Sequence, residues 1–274
     1  MVLSIEQQER LRAKYNPEGS IARKAQMRML EMLIYFDGIC RKNNLQYWLD
    51  FGTLLGAVRH GGFIPWDDDL DIAMLRKDAE KLYEILKKDN NDNFVLQCHS
   101  TDPHYYLLWN KIRDLKSANV AHSYVQNRLK FKGLQIDIFI MDYNVNDRLK
   151  SYSWYLYCWL VDRPLNDNCG IWKNMRCTVN ISYFFIKRFI LPVLRRISKI
   201  FSHNNYLSYS YGIPYCNKFE LTDIFPLKEI CFEGHMFFVP YLEDKYLKEL
   251  YGNWRSVPQE DEIETHNTQL EFYF

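Results

Sequence analysis

From Asp67 to Met74 acidic and apolar residues alternate (Asp67-Asp68-Asp69-Leu70-Asp71-Ile72-Ala73-Met74), which is the pattern of a β-strand. Side chains two apart on a strand point the same way, so Asp67, Asp69 and Asp71 share one face and Leu70 and Ile72 the other. Carboxylates that close repel one another unless a cation lies between them. A hard divalent ion held by oxygen ligands, Mg²⁺ or Mn²⁺, is the expected answer. A calcium loop of the EF-hand type is excluded, because its sixth position would be Ile72 where Gly is required and its twelfth Asp78 instead of Glu.

A second strand, Leu134-Gln135-Ile136-Asp137-Ile138-Phe139-Ile140, carries a lone acid among apolar residues. Burying an unpaired charge is costly, so Asp137 needs a partner. Two partners are open: the cation held by Asp69 and Asp71, with Asp67 as a further ligand, or a buried Lys or Arg.

Around these strands the periodicities predict an α/β or α+β sheet domain. Residues 20–44 read as an amphipathic helix ended by Asn43-Asn44, and Gln46–Phe51 as a strand. Gly52-Thr53 then opens a helix over Leu54–Arg59, with Thr53 as its cap. Backbone N–H groups at a helix start, with the Thr53 hydroxyl, form an anion site suited to phosphate, and Arg59 and His60 are placed to reach the same phosphates. A further helix is expected over 76–88, and strands over Phe94–Cys98 and Tyr105–Ile112.

The chain divides by composition into a core over 1–146, an aromatic and basic helical insertion over 147–215, and a return to the core over 216–274. No acidic residue lies between Asp167 and Glu220, whereas Lys187, Arg188, Arg195, Arg196 and Lys199 all do. The apolar run Phe189–Leu194 is too short to span a bilayer, whose core needs about 20 apolar residues. Residues 183–201 are instead expected either to lie on an anionic membrane surface, apolar side down, or to pack on the core with a solvated basic edge.

A net charge of +1 excludes a general nucleic-acid binder. Seven scattered cysteines without a C-x-x-C pair predict reduced thiols. The N-terminal MVLSIEQQERLRAKY has no apolar core, so no signal peptide is expected. Together these predict a cytoplasmic protein, peripheral on the cytoplasmic face of the membrane if 183–201 docks there.

The stretch YWLDFGTLLGAVRHGGFIPWDDDLDIAM resembles the signature of the LicD family of phosphocholine transferases, relatives of the fukutin-like phosphosugar transferases. Phe51-Gly52-Thr53, Asp69-Leu70-Asp71 and Ile136-Asp137-Ile138 match, in order, the turn and the three acids of the nucleotidyltransferase fold to which that family belongs, and the resemblance implies an α+β fold here, a nucleotidyltransferase-like mixed sheet flanked by helices, with the aromatic and basic helical insertion added to it. Asn110-Lys111-Ile112-Arg113-Asp114 is similar to the family's basic strand, which implies Lys111 and Arg113 as phosphate or nucleotide contacts. FPLKEICFEG and YLKELYGNW are similar to its C-terminal blocks, whereas Phe51 stands where many members have Gly.

The resemblance implies metal-dependent transfer of phosphocholine from CDP-choline to a hydroxyl of a glycan or glycolipid precursor, such as a lipooligosaccharide or teichoic acid, with release of CMP. A quaternary ammonium favours an aromatic cage, for which Trp66 and Trp109 are candidates. Transfer of a phosphonate or polyol phosphate, nucleotidyl transfer to a small molecule or protein, and a non-catalytic membrane-surface scaffold remain the alternatives.

Overall fold

A computed structural model describes residues 3–119, 127–166, 176–201, 205–259, 263 and 270–273. Helix α1 (Ile5–Tyr15) precedes α2 (Ile21–Lys42), which Ser20 caps by accepting a hydrogen bond from the Arg23 N–H at 3.1 Å. Met29, Leu33, Phe36 and Cys40, three or four residues apart, form the buried stripe of α2. Truncating one of the larger of these, such as Phe36, to Ala would cost about 3–5 kcal/mol.

The central sheet contains β1 (Tyr47–Leu49), β2 (Leu70–Leu75), β3 (Phe94–Gln97), β4 (Asn110–Asp114) and β6 (Gln135–Tyr143), in the spatial order β1-β2-β6-β4-β3. A short strand β5 (Ser117–Asn119) pairs instead with β11 (Leu270–Phe272). The sheet is mixed: β2 and β6 run parallel, and the pairs β1·β2, β4·β6 and β3·β4 are antiparallel. Between β1 and β2 lies α3 (Phe51–His60), and α4 (Arg76–Leu86) follows β2 directly. This is the α+β architecture that the resemblance implies, one of the two that the periodicities allow.

Four boundaries differ from expectation. The strand that carries the acids begins only at Leu70, so Asp67 and Asp69 stand on the loop leading into it. The fourth strand begins at Asn110, because Tyr105 and Tyr106 bury their rings from an irregular segment, with the Tyr105 hydroxyl donating to the Trp109 carbonyl at 2.8 Å. The cap of α3 is Asp50, not Thr53. Finally, β7 (Tyr206–Tyr209) pairs with the end of β6 and with β8 (Lys218–Glu220), so the chain rejoins the central sheet ten residues before the expected position of 216.

Among the described residues, 147–166 and 176–201 are helical. One helix runs from Asp147 through a π-helical turn at Cys158–Asp162 to Asn166, and a second from Arg176 through a π-helical turn at Ile186–Ile190 to Phe201. They share a small core of their own, which includes Tyr157, Val161, Val179, Tyr183 and Ile186. Cys177–Ile200 is long and apolar enough, by length and composition, to cross a membrane, a reading that the short run Phe189–Leu194 did not reveal. Beyond the insertion a hairpin, β9 (Lys228–Phe232) and β10 (His235–Val239), packs on β1, and the helix Glu243–Tyr251 packs on α3.

Candidate active site

The pairing register assembles the site. Asp71 on β2 stands opposite Asp137 on β6, and Asp137 stands opposite Lys111 on β4. Neighbouring strands lie about 4.8 Å apart, so these three residues form one row across the sheet. Asp50 extends the row on the far side, its backbone N–H donating to the Asp71 carbonyl at 3.0 Å. Thr53, inside α3 and buried, accepts a hydrogen bond from the Asp71 N–H at 2.8 Å and so ties α3 to β2.

The carboxylates converge although two of them lie off the strand. Burial pushes Asp67, Asp69 and Asp71 above the ordinary carboxylate range, and their mutual repulsion adds to it: Asp67 feels Asp69, Asp69 feels Asp137, and Asp71 feels both. Gly52 is what allows Asp67 its place. A Cβ at position 52 would lie 2.6 Å from Asp67 Oδ2, so any larger residue would displace that carboxylate.

Lys111 Nζ lies 2.8 Å from Asp137 Oδ1 and hydrogen-bonds Oδ2 at 3.0 Å, so the structure supplies the buried cationic partner that was one of the two possibilities for Asp137. Oδ1 is buried, and this close ion pair is its contact without a well-aligned hydrogen bond. Among the described residues no three acidic, His or Cys side chains are drawn together into a closed ligand set. Asp67, Asp69 and Asp71, raised by burial and then by mutual repulsion, stand beside Asp137 with the single cation Lys111 among them, and that surplus of carboxylate oxygens nevertheless fits a hard divalent cation.

Behind the row, Asp50 is wholly buried. Its carboxylate accepts hydrogen bonds from the Phe51 N–H (2.9 Å), the Tyr209 hydroxyl (2.9 Å to Oδ2) and the Tyr246 hydroxyl (3.0 Å). Burial pushes its pKa up to about 6, against the pull of those three donors. Beside the row, Phe139 shares the Asp137 face of β6 and packs on Phe51 (5.2 Å between ring centroids), Trp109 (5.7 Å) and Tyr215 (5.7 Å). The Tyr215 hydroxyl is raised by burial and then by the charges of Asp71, Asp137 and Asp69, which sets this aromatic wall against the carboxylates. Phe51 holds its place in that wall at φ +39°, a conformation that a bulky residue rarely adopts.

Several candidates serve elsewhere. Arg59 donates to the carbonyls of Trp254 (3.1 Å) and Ser256 (3.0 Å) and to His60 Nε2 (2.9 Å), and His60 Nδ1 meets Gln8 Oε1 at 2.9 Å. Both are buried, and burial lowers the His60 pKa to about 3, so the pair clasps the C-terminal segment and α1 instead of reaching a phosphate. Arg113 donates to Gln97 Oε1 (2.6 Å) and the Gly133 carbonyl (2.8 Å). Trp66 packs edge-on against Tyr15 and His60, outside the wall that contains Trp109. Asp50, Tyr209, Tyr215 and Tyr246 were not singled out by sequence. Of these only Asp50, an acid directly before a helix start, carried a local signal.

This arrangement of turn, acid row and basic strand agrees with a family comparison. Residues 44–160 match the model of the LicD/FKTN/FKRP nucleotidyltransferase domain. Over this stretch the chain is similar to a LicD-type nucleotidyltransferase domain. The chain is also similar to the lipopolysaccharide cholinephosphotransferase LicD of Haemophilus influenzae, at 36% identity over 75 residues, which cover 27% of this chain and 28% of that protein. It is also similar to an uncharacterized protein of Rickettsia prowazekii, 60% identical over 45 residues covering 16% of this chain and 17% of that one. The human ribitol 5-phosphate transferase FKRP is 46% identical over 45 residues, 16% of this chain and 9% of its own. Each alignment thus spans less than a third of the relative's length.

Proposed function

We propose that this protein transfers a substituted phosphate headgroup from a nucleotide carrier to a hydroxyl of a glycan or glycolipid precursor, with phosphocholine from CDP-choline as the first candidate and CMP as the product. The observation that carries this reading is the row Asp71, Asp137 and Lys111 across three adjacent strands, with Asp67 and Asp69 leaning into it. Asp69, Asp71 and Asp137 would hold Mg²⁺ or Mn²⁺, with Asp67 within reach as a further ligand. A metal there supplies neutralisation of phosphate charge.

The chain's own groups have defined tasks. The acceptor hydroxyl oxygen attacks the phosphorus of the headgroup phosphate. The bond from that phosphorus to the bridging oxygen breaks, CMP departs with the electron pair, and the hydroxyl proton passes to a carboxylate of the cluster. Lys111 balances the charge of Asp137 while Thr53 and Asp50 fix β2 against α3. The wall of Phe51, Trp109, Phe139 and Tyr215 would bind the tail of the headgroup, and aromatic faces favour a quaternary ammonium over a polyol.

The test is to incubate the protein with Mg²⁺ and a panel of CDP-linked headgroups, choline, ethanolamine and ribitol among them, and follow CMP release with and without a glycan acceptor. CDP-choline turnover exceeding the others supports the reading. Preference for CDP-ribitol would transfer it to the polyol class, which the similarity to FKRP favours. No CMP from any donor would overturn it.

A further inference from the structure

The insertion helices bury one side against the protein and leave the opposite side apolar. On the helix Arg176–Phe201, Ile181, Phe185, Phe189, Val193 and Ile197 recur every fourth residue and all are exposed, Ile181 by 68%. Four residues of α-helix exceed one turn by about 40°, so over four steps such a stripe would drift by about 160°. The π-helical turn at Ile186–Ile190 takes back about 90–100° and keeps the stripe on one side. Phe184 and Ile200 widen it. On the neighbouring helix, Tyr152, Tyr155 and Trp159 are likewise exposed at helical spacing, opposite the buried Ser153, Tyr157 and Val161.

The charges lie to one side. Lys187, Arg188, Arg195, Arg196 and Lys199 fall on the flank between the exposed stripe and the buried face. That flank borders a cavity of about 520 Å³, lined by Lys187, Arg188 and Arg195 of this helix, by Arg76 and Glu80 of α4 and by Lys87 just after it, so that cations outnumber the one acid. Among the described residues no acidic side chain occurs on the helix Arg176–Phe201.

We infer that these two helices form a docking face for an anionic lipid bilayer. Apolar and aromatic side chains insert at the level of the headgroups, and the basic flank with its cavity meets the lipid phosphates. Charge complementarity selects this occupant: a stripe of Phe and Ile beside five cations and no acids on the same helix suits an anionic interface. The helix lies on the surface and does not span it, since spanning would pull Arg188, Arg195 and Arg196 into hydrocarbon and tear Val179, Tyr183 and Ile186 from their core. The inference does not depend on the transfer reaction, and its test uses no substrate.

The full chain would be sedimented with vesicles of phosphatidylcholine containing 30% phosphatidylglycerol, and with vesicles of phosphatidylcholine alone. Binding to the anionic vesicles, at least ten-fold weaker to the neutral ones and falling as NaCl rises, is the expected result. The triple variant Ile181→Ser, Phe184→Ser, Phe185→Ser, all at exposed positions and therefore expected to keep its circular dichroism and Tm, loses at least ten-fold in binding. The double variant Arg188→Glu, Arg196→Glu abolishes the preference for anionic lipid. Absence of binding to either vesicle overturns the inference, as does dimerisation that the triple variant abolishes without any lipid binding. Retention on the vesicles in both high salt and alkaline carbonate would overturn the surface-bound geometry in favour of a spanning helix.

Discussion

Lys111 Nζ lies 2.8 Å from Asp137 Oδ1, with both side chains buried and set opposite each other on adjacent strands. In the proposed reading a metal ion would act on the same carboxylate as this lysine, so each would lighten the other's task. Replacing Lys111 by Met leaves the Asp137 charge uncompensated and is expected to destabilise the metal-free protein by about 3–5 kcal/mol. Urea unfolding, repeated with saturating Mn²⁺, checks this. The loss should shrink when metal supplies the missing positive charge.

The raised carboxylates give stability a pH dependence of known sign. Their pKa values in the fold lie above the unfolded value of about 4, so the stability that protonation lends is complete in acid and is lost as pH rises through the folded values. The contribution of this cluster to Tm in chelator should therefore decline as pH rises above about 4. Subtracting the profile of Asp71→Asn from that of the wild type, by differential scanning fluorimetry, isolates it. Mn²⁺ should raise the wild-type Tm more at pH 7.5 than at pH 5.

Asp50 touches neither donor nor acceptor in this account, yet it joins β1 to α3 and takes hydrogen bonds from Tyr209 and Tyr246. Asp50→Asn should fold, since the amide keeps one acceptor oxygen, and should lower metal affinity and turnover by about 10–100-fold through misplacement of Asp71. Isothermal titration with Mn²⁺ alongside circular dichroism separates that outcome from simple unfolding.

Phe51 carries a positive φ that glycine would adopt without strain, and its ring closes the aromatic wall. Phe51→Gly should leave Tm unchanged or raised while raising KM for a choline-bearing donor about ten-fold, the scale of a lost cation–π contact. An unchanged KM with CDP-choline would remove Phe51 from the headgroup pocket.

Local signals in the sequence were sufficient to locate the acids and the turn. The alternation around Asp71 and the lone charge of Asp137 in an apolar run marked two strands that the fold lays side by side. What stayed hidden depends on partners distant in the chain. Arg59 and His60 resemble phosphate ligands until Trp254, Ser256 and Gln8 are seen to occupy them. The environment of Asp50 is built by tyrosines roughly 160 and 200 residues away, a pairing that no periodicity encodes. The early return at Tyr206 is likewise a tertiary choice, since Tyr206–Tyr209 is too short to read as a strand until β6 offers an edge. Gly52 was read as a turn for phosphate, and the structure adds a steric reason, the carboxylate of Asp67 above its Cα.

The most direct measurement is Mn²⁺ binding, followed by electron paramagnetic resonance, in the wild type and in Asp71→Asn and Asp137→Asn. The account predicts saturable binding to the wild type that weakens by about 10²-fold or more in both variants while circular dichroism is unchanged. Equal binding by all three proteins, or none by the wild type, would contradict the claim that Asp71 and Asp137 hold the catalytic metal.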